Sequence, residues 1–403
     1  MKKLAAVVAL LSVFGLGMSF ALLGALKLKL IPHLGIDDSQ FGTLGSTFMF
    51  SCLVMSLIVG VLCDKWGYKP IAILGFVLTA LCIFLFSRAG SFNMAILAAI
   101  LLGVGAMCCN TAGNTLIPVV LFEGKNPAAA SNFGNVFFGL GLFLTPYLIG
   151  FLFKRSPDAY STNVTILAII VLIPVIIALI AEYPVSSAGF QFSEATSLLG
   201  QIAVIVAGLT LFLYIALEVS MTMWVSSYGS EVIQKADATL AKEIVDAKAN
   251  NMMALFAIAM MVGRLIASQI SAITRIGDKV IALMAAVIAL VTFLMTKNSN
   301  VTVAWVLAAC IGLACAPCFP TIVGVTFSKF IPRVYGSIFG IIFAMGLAGA
   351  VILPKWIGVL AKQAGGSVKA GLGIMSIVAI ILIVFALILG AVKSKGDVAA
   401  KQG

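Results

Sequence analysis

The sequence predicts an all-helical membrane protein with twelve transmembrane helices arranged as two six-helix bundles. Of its 403 residues, 62% are apolar and only 10% are charged, a balance outside the range of soluble proteins. The charges fall between apolar runs of about 20 residues, the length needed to cross a bilayer core of about 30 Å. A spacing of glycines and prolines also occurs twice, which indicates an internal repeat.

The apolar runs set the number of spans. We place them near residues 4–26, 41–62, 71–87, 93–121, 128–153, 162–181, 199–228, 250–272, 279–296, 301–327, 334–361 and 368–392. They are too long and too uniformly apolar for barrel strands, which alternate over about ten residues. The first run is also longer than the apolar part of a signal peptide, so we interpret it as a retained helix.

The repeat lies in the fifth and eleventh spans. Its members are Gly141, Pro146 and Gly150 in the first copy and Gly349, Pro354 and Gly358 in the second. Because each copy holds six spans, an even number, both copies enter the membrane from the same side and form parallel halves. We therefore predict a bundle at 1–181, a linker at 182–198 and a second bundle at 199–403, with a short surface helix at 236–249.

The charged and metal-binding residue types exclude several classes of function. The net charge is +11, but Lys and Arg are spread over nearly every loop, which argues against a nucleic-acid partner. Arg264 aside, the 25 basic residues divide twelve and twelve between the two sides, so the positive-inside rule gives no orientation. Cys315 and Cys318 lie in an apolar helix, which favours packing over redox chemistry. With no metal cluster around His33, we expect no metal and no cofactor.

Glu218 is the one acidic residue of fourteen that lies deep in a predicted span. An intramembrane carboxylate is costly enough that a functional role is the default interpretation, and such groups serve as proton relays. The alternative is a protonated side chain that hydrogen-bonds a neighbouring helix. Glu218 is therefore the leading candidate for a coupling or ligand-binding residue.

Arg264 is the one basic residue deep in a span. At about 1.5 Å per residue, the predicted boundaries place Glu218 roughly 27 Å and Arg264 roughly 12 Å from the inner helix ends. We therefore expect no direct pair between them. Arg264 then either binds an anionic ligand group or extends its charge toward the helix ends.

Four asparagines and two aromatic residues complete the candidate site. They are Asn110, Asn114, Asn132, Asn135, Tyr214 and Trp224. The spacing of the asparagines places each pair on one helix face, and amides both donate to and accept from hydroxyl-rich ligands, although they also join helices. The aromatic residues flank Glu218 and could stack on a sugar ring; an interfacial position is the alternative for Trp224.

The loop between the second and third spans carries a specific signal. It reads Gly60-Val61-Leu62-Cys63-Asp64-Lys65-Trp66-Gly67-Tyr68-Lys69-Pro70 and resembles the loop signature of the major facilitator superfamily, G-x-L-x-D-[RK]-x-G-[RY]-[RK]-[KP]. In this motif we expect Gly60 and Gly67 to let helix ends crowd together. We expect Asp64 to meet the N-terminus of a neighbouring helix, where an anion is favoured.

Further segments are similar to the branch of that superfamily that includes the fucose, galactose and glucose symporters. They are Leu213–Trp224, Asn114–Pro118, Asn132–Asn135, Phe138–Gly141 and Cys318–Thr321. The resemblance implies a major facilitator fold, with the loop motif and both termini in the cytoplasm of a bacterial cell. It implies alternating-access transport of a small polar, sugar-like solute, with H⁺ (or Na⁺) as coupling ion and a monomer in the inner membrane.

Other functions stay open at this point. An exporter of amphipathic drugs or lipids would use the many Phe and Met residues to form a greasy cavity, and a membrane sensor or channel is the alternative from another class. An intramembrane enzyme would need a nucleophile and base or a set of metal ligands. The spans offer one buried acid and no buried histidine, so we expect that the protein is not an enzyme.

Overall fold

The computed structural model describes residues 2–156, 158–184 and 192–392. Within these residues, twelve helices are long and apolar enough to cross a membrane, and no strand occurs among them. The predicted fold class is confirmed. Residues 185–191 of the predicted linker lie outside the described residues, as do both chain ends, so the predicted domain boundaries and the side of the termini stay predictions.

The chain divides into two compact units. Unit 1 comprises the described parts of Met1–Lys125, Gly134–Leu198 and Ile331–Ile341. Its helices are α1 (Lys2–Leu34), α2 (Asp38–Trp66), α3 (Tyr68–Arg88), α4 (Phe92–Val120), most of α5 (Pro127–Arg155), α6 (Tyr160–Ile180) and the short α7 (Phe192–Leu198). The core lies around α4, which packs against α1, α2 and α3.

Unit 2 comprises the described parts of Asn126–Phe133, Leu199–Phe330 and Ile342–Gly403. Its helices are α8 (Ile202–Ala236), α9 (Lys242–Ser268), α10 (Gly277–Lys297), α11 (Val301–Cys315), α12 (Cys318–Phe327), most of α13 (Tyr335–Gln363) and α14 (Val368–Ala391). The tenth span is thus built from two helices, α11 and α12. The first turns of α5 belong to unit 2, and those of α13 belong to unit 1.

The internal repeat is visible in the packing of each unit. In unit 1, α3 packs against α4 and α6, and in unit 2, α10 packs against α11 and α14. A Cβ on Gly141 would lie 2.2 Å from the carbonyl oxygen of Phe14, and one on Gly349 would lie 2.3 Å from that of Phe212. Both distances are far below van der Waals contact, so only glycine fits where these helices meet.

Local sequence explains where two of the helices begin. The Asp37 carboxylate accepts a hydrogen bond from the backbone N–H of Gln40, and the Gln40 side chain accepts one from the Asp37 N–H, a capping box that starts α2. Gly67 alone separates α2 from α3, with φ of 84°. That left-handed conformation favours glycine, which accounts for this residue in the loop motif.

The prediction of a separate surface helix at 236–249 is wrong. Residues up to Ala236 belong to α8, and those from Lys242 belong to α9, because the helix-favouring sequence simply prolongs both membrane helices. The break between them is an Asx turn, in which Asp237 accepts from the backbone N–H and the hydroxyl of Thr239. The hydrogen bond from the Thr239 hydroxyl has the larger effect, and together the two bonds lower the pKa of Asp237 below its ordinary value.

Candidate functional site

The tenth span breaks between Cys315 and Cys318, in the buried centre of unit 2. Proline has no N–H, so it leaves the carbonyl four residues earlier without its helical partner. Pro320 therefore frees the carbonyl oxygen of Ala316. A free carbonyl in this buried position requires another hydrogen-bond donor.

Side chains from two neighbouring helices supply the donors at this break. The Tyr214 hydroxyl, on α8, donates to the carbonyl oxygen of Cys315 at 2.7 Å. The Arg264 Nε, on α9, donates to the carbonyl oxygen of Ala316 at 3.3 Å. Both side chains are buried, so each holds a backbone group that water does not reach.

Glu218 and Arg264 form an ion pair, with 3.2 Å between Oε1 and the guanidinium Nη2. The Arg264 side chain is 3% exposed and the Glu218 side chain is 18% exposed. The carboxylate is therefore the member of the pair that faces open space, and the guanidinium lies behind it against the break in the tenth span.

The expectation that these two residues do not pair is wrong. The expectation is based on the depth of each residue below the inner end of its predicted helix, but the inner ends of α8 and α9 lie at different depths. The short connection Asp237–Ala241 joins their other ends. Counted from there, Glu218 lies about 18 residues and Arg264 about 22 residues along their helices. At about 1.5 Å per residue the offset is about 6 Å, which an arginine side chain spans.

Trp224 is half-buried and packs against α13. Its indole N–H donates to the carbonyl oxygen of Pro354 at 3.2 Å, and its ring lies where a Cβ on Gly358 would approach to 3.2 Å. The Trp224 ring thus packs against the proline and the last glycine of the second Gly-Pro-Gly copy. Contact of Trp224 or the fully buried Tyr214 with a solute stays a prediction.

Three of the four predicted asparagines form one buried chain in unit 1. The Asn135 amide donates to Asn114 Oδ1 at 3.2 Å, and the Asn114 amide donates to Asn110 Oδ1 at 2.8 Å. Asn132 belongs to unit 2, where its amide donates to the carbonyl oxygen of Ala128 and to Thr321 Oγ1. The structure therefore joins Asn110, Asn114 and Asn135 within unit 1, and Asn132 belongs to unit 2.

Asp64 and Gly60 of the loop motif have the predicted contacts. Asp64 is buried, and its two oxygens accept from the backbone N–H groups of Gly336 at 2.7 Å and Ser337 at 2.6 Å, in the first turn of α13. The expected meeting of this carboxylate with a helix N-terminus is confirmed. A Cβ on Gly60 would lie 2.4 Å from the carbonyl oxygen of Gly336, and one on Gly336 would lie 2.3 Å from that of Gly60.

The two lysines of the motif lie at the surface. Lys69 donates to the carbonyl oxygen of Leu179 at 2.6 Å, which ties the start of α3 to the end of α6. Lys65 is exposed in the last turn of α2.

A neutral counterpart of the Asp64 contact occurs in unit 2 and was missed by sequence reasoning. The backbone N–H of Ala128, in the first turn of α5, donates to Thr274 Oγ1 at 3.0 Å. Asn126 accepts from the N–H of Ala129 and donates to the carbonyl oxygen of Ser271 at 2.8 Å. Asparagine before proline is a helix-start signal, so the Asn126-Pro127 dipeptide could have predicted this cap.

Glu231, near the end of α8, is a second residue that sequence reasoning missed. Its carboxylate accepts from the Ser367 hydroxyl at 2.7 Å and from the backbone N–H of Val368 at 2.8 Å, at the start of α14. It also pairs with Lys235 at 2.7 Å. Its partners lie in a distant part of the chain, so no local pattern indicates this cap.

Comparison with known proteins identifies the family. The sequence model of the Major Facilitator Superfamily matches residues 7–354. The chain belongs to the major facilitator superfamily. It is therefore a multi-pass membrane transporter and not an enzyme.

Solved structures in the superfamily share the fold. A substituted form of the E. coli fucose:proton symporter FucP is 20% identical, with a TM-score of 0.75 over 96% of this chain and 99% of that one. FucP in the outward conformation is 18% identical, with a TM-score of 0.76 over the same shares. The human organic anion transporter MFSD10 is 14% identical, with a TM-score of 0.71, again over 96% and 99%.

One curated relative matches over part of its length. The protein ZINC INDUCED FACILITATOR 1 of Arabidopsis thaliana is 30% identical over 123 residues, which is 30% of this chain and 25% of that protein. The match thus spans a quarter of the relative.

Proposed function

We propose that this superfamily member is a secondary active transporter that moves a small polar solute together with protons, and that Glu218 carries the proton. The observation that carries the proposal is the partly exposed Glu218 carboxylate in the middle of a span, paired with a buried arginine at 3.2 Å. Ionisable groups at such depth mark ion or proton pathways. No Asp or Glu occurs in α1, so this helix offers no competing coupling residue.

The ion pair gives protonation a structural consequence. When Glu218 is ionised, its charge is balanced by Arg264. When Glu218 takes a proton, the guanidinium loses that balance and keeps its hydrogen bond to the carbonyl of Ala316. An arginine cannot shed its own charge, so one proton changes the net charge of the site by one unit. Such a change can bias a two-state conformational equilibrium.

The more accessible member of the pair, Glu218, favours one kind of solute. A carboxylate offers acceptors to hydroxyl or amine groups and repels anions, and Glu218 stands in front of Arg264. Within unit 1, Asn110, Asn114 and Asn135 carry amides, which are groups of the kind that recognise hydroxyls. We therefore favour a neutral, hydroxyl-rich solute of the sugar type, the class to which the solute of the fucose:proton symporter belongs.

A cavity in unit 1 favours a second candidate, an exporter of amphipathic compounds. It has a volume of about 480 Å³, within the range of small-molecule pockets. The wall between α2 and α4 combines apolar side chains such as Phe50 and Val54 with the hydroxyls of Thr43 and Thr47. If the protein is such an exporter, an amphipathic dye should leave preloaded vesicles faster with the protein than without it.

The cellular setting is part of the proposal. We place the protein as a monomer in a bacterial inner membrane, as the resemblance to the sugar symporters of the superfamily implies. We place the loop motif and both termini in the cytoplasm, because the Asp64 loop resembles the cytoplasmic loop of the superfamily. Transport would then proceed by alternating access. Saturable counterflow exchange of solute would count against a channel or a sensor.

The test uses purified protein in liposomes with a solute identified by thermal-shift screening of sugars, organic anions and amino acids. Glu218→Gln should abolish uphill uptake driven by a pH gradient while equilibrium exchange continues. Glu123→Gln is the matched control, since that carboxylate is exposed on a connecting turn, and it should retain uphill uptake. Accumulation by Glu218→Gln at the unsubstituted level would remove this residue from the mechanism.

A further inference from the structure

A stripe of polar side chains runs along α8 from Glu218 toward the Asp237 end of the helix. Its members are Glu218, Thr222, Ser226 and Ser230, each four residues after the previous one. Positions four apart are neighbours on a helix surface, about 6 Å apart along the axis. The hydroxyl groups thus form a continuous polar line that begins at the carboxylate.

The burial of α8 changes at Glu218. All four members of the stripe are half-buried, so this face of the helix borders open space. One turn in the other direction lies Tyr214, which is fully buried and donates its hydroxyl to the broken tenth span. Thr210, one turn further, is also fully buried and bonds to its own helix. Within unit 2, the carboxylate is therefore approached from the Asp237 end.

The hydroxyl groups have unused hydrogen-bonding capacity. Thr222 donates to the carbonyl oxygen of Glu218 at 2.9 Å, which leaves its own oxygen available as an acceptor. The Ser226 hydroxyl oxygen is buried, and it has no hydrogen-bond partner among the described residues. A buried hydroxyl without a protein partner is normally satisfied by ordered water. Successive members of the stripe are about 6 Å apart along the helix axis, a spacing that one bridging water molecule can span.

We propose that Thr222, Ser226 and Ser230 form a hydrogen-bonded path that delivers protons to Glu218 from the Asp237 end of α8. The inference rests on the proposed role of Glu218 in coupling. Hydronium in bulk water gives up a proton at Ser230. At each step one O–H bond forms on the receiving oxygen as one breaks on its other side, and the Thr222 O–H first rotates from the carbonyl oxygen of Glu218 toward the carboxylate. The last proton binds a carboxylate oxygen of Glu218, and a neutral water molecule remains where the path opens.

The groups around Glu218 agree with a one-sided path. Arg264 of α9 faces the carboxylate as a fixed positive charge. Three further neighbours are fully buried, away from the half-buried stripe: they are Tyr214 of α8 and the thiols of Cys315 and Cys318 at the break. Among these described neighbours, Arg264 pairs with the carboxylate, and the Tyr214 hydroxyl donates to the carbonyl oxygen of Cys315. The stripe is therefore the remaining chain of exchangeable hydroxyls beside Glu218.

The proton path is tested by infrared spectroscopy of the purified protein in a lipid film. At acid pH, the carboxylic C=O band of Glu218, assigned by its loss in Glu218→Gln, shifts when H₂O is replaced by D₂O. Ser226→Ala and Thr222→Val remove a hydroxyl with little change in volume and should slow this exchange at least about fivefold. Ser227→Ala is the control, because Ser227 is an exposed neighbour outside the stripe, and it should exchange at the unsubstituted rate.

A second measurement does not depend on exchange rates. Thr222→Cys and Ser230→Cys should react with a charged, water-soluble methanethiosulfonate, whereas Val225→Cys should not, since Val225 is fully buried. Equal exchange rates in Ser226→Ala and Ser227→Ala, or unreactive cysteines in the stripe, would overturn the path. Neither result would affect the proposed coupling role, which fails separately if Glu218→Gln still accumulates solute.

Discussion

The ion pair between Glu218 and Arg264 allows a prediction in which the two partners are not equivalent. Arginine cannot be deprotonated in a protein, whereas a carboxylate can take a proton. Glu218→Gln therefore leaves a guanidinium, 3% exposed, without the negative charge of this carboxylate. Arg264→Gln leaves a carboxylate that neutralises itself by protonation. Glu218→Gln should be the more destabilising of the two.

The structure sets the size of the effect. Removing one partner of a buried ion pair costs about 3–5 kcal/mol, and the 18% exposure of the Glu218 side chain places this pair at the lower end. We expect Glu218→Gln to cost about 3 kcal/mol and Arg264→Gln about half of that. At about 2 °C per kcal/mol, the melting temperature falls by about 6 °C and about 3 °C respectively. The double variant, in which two amides face each other, should recover part of the loss.

Melting in detergent with a thiol-reactive fluorescent dye measures these effects. The eight cysteines are unpaired, and all but the half-buried Cys310 are buried, so reaction with the dye reports unfolding. Two results would refute the reasoning: a larger loss in Arg264→Gln than in Glu218→Gln, or a double variant whose loss equals the sum of the single losses.

Three further variants are checked by the same melting measurement. Asp64→Asn removes the charge and one acceptor from the N-terminal turn of α13 and should cost about 2 kcal/mol; no change would show that the contact carries no stability. Gly141→Ala places a Cβ 2.2 Å from a carbonyl oxygen of α1 and should cost about 1–3 kcal/mol. Gly150→Ala, on the same helix, meets nothing within 4 Å and should be neutral. Equal melting temperatures of the two variants would contradict the close contact at Gly141. Tyr214→Phe leaves a buried carbonyl unpaired and should cost about 1–3 kcal/mol, against no loss for Tyr147→Phe at a side chain that is 70% exposed; a loss shared by both would refute the role of that hydroxyl.

The spans and the Asp64 contact could be predicted from sequence because both depend on local properties. The cost of placing a charge in lipid is a property of each residue, so hydropathy alone gives twelve spans. Asp64 and its flanking glycines form a compact motif whose carboxylate needs a nearby helix N-terminus. The choice of α13 as that helix depends on tertiary packing, which the motif does not encode.

The pairing of Glu218 with Arg264 could not be predicted from estimated depths. An error of a few residues at each helix end, at about 1.5 Å per residue, exceeds the reach of a side chain. The break in the tenth span was more accessible, since Pro320 is visible in the sequence and frees the Ala316 carbonyl by removing its donor. A buried arginine on a neighbouring span is a natural partner for such a carbonyl.

The reciprocal contact of Gly60 with Gly336 has a consequence for variation among related sequences. Each glycine lies against the other's carbonyl oxygen, so a larger side chain at either position displaces the opposite helix. Substituting the second glycine gives no relief, because it adds a clash of its own. Natural homologues that keep this contact should therefore hold glycine at both positions, and a sequence that loses one should lose the other together with the acid at position 64.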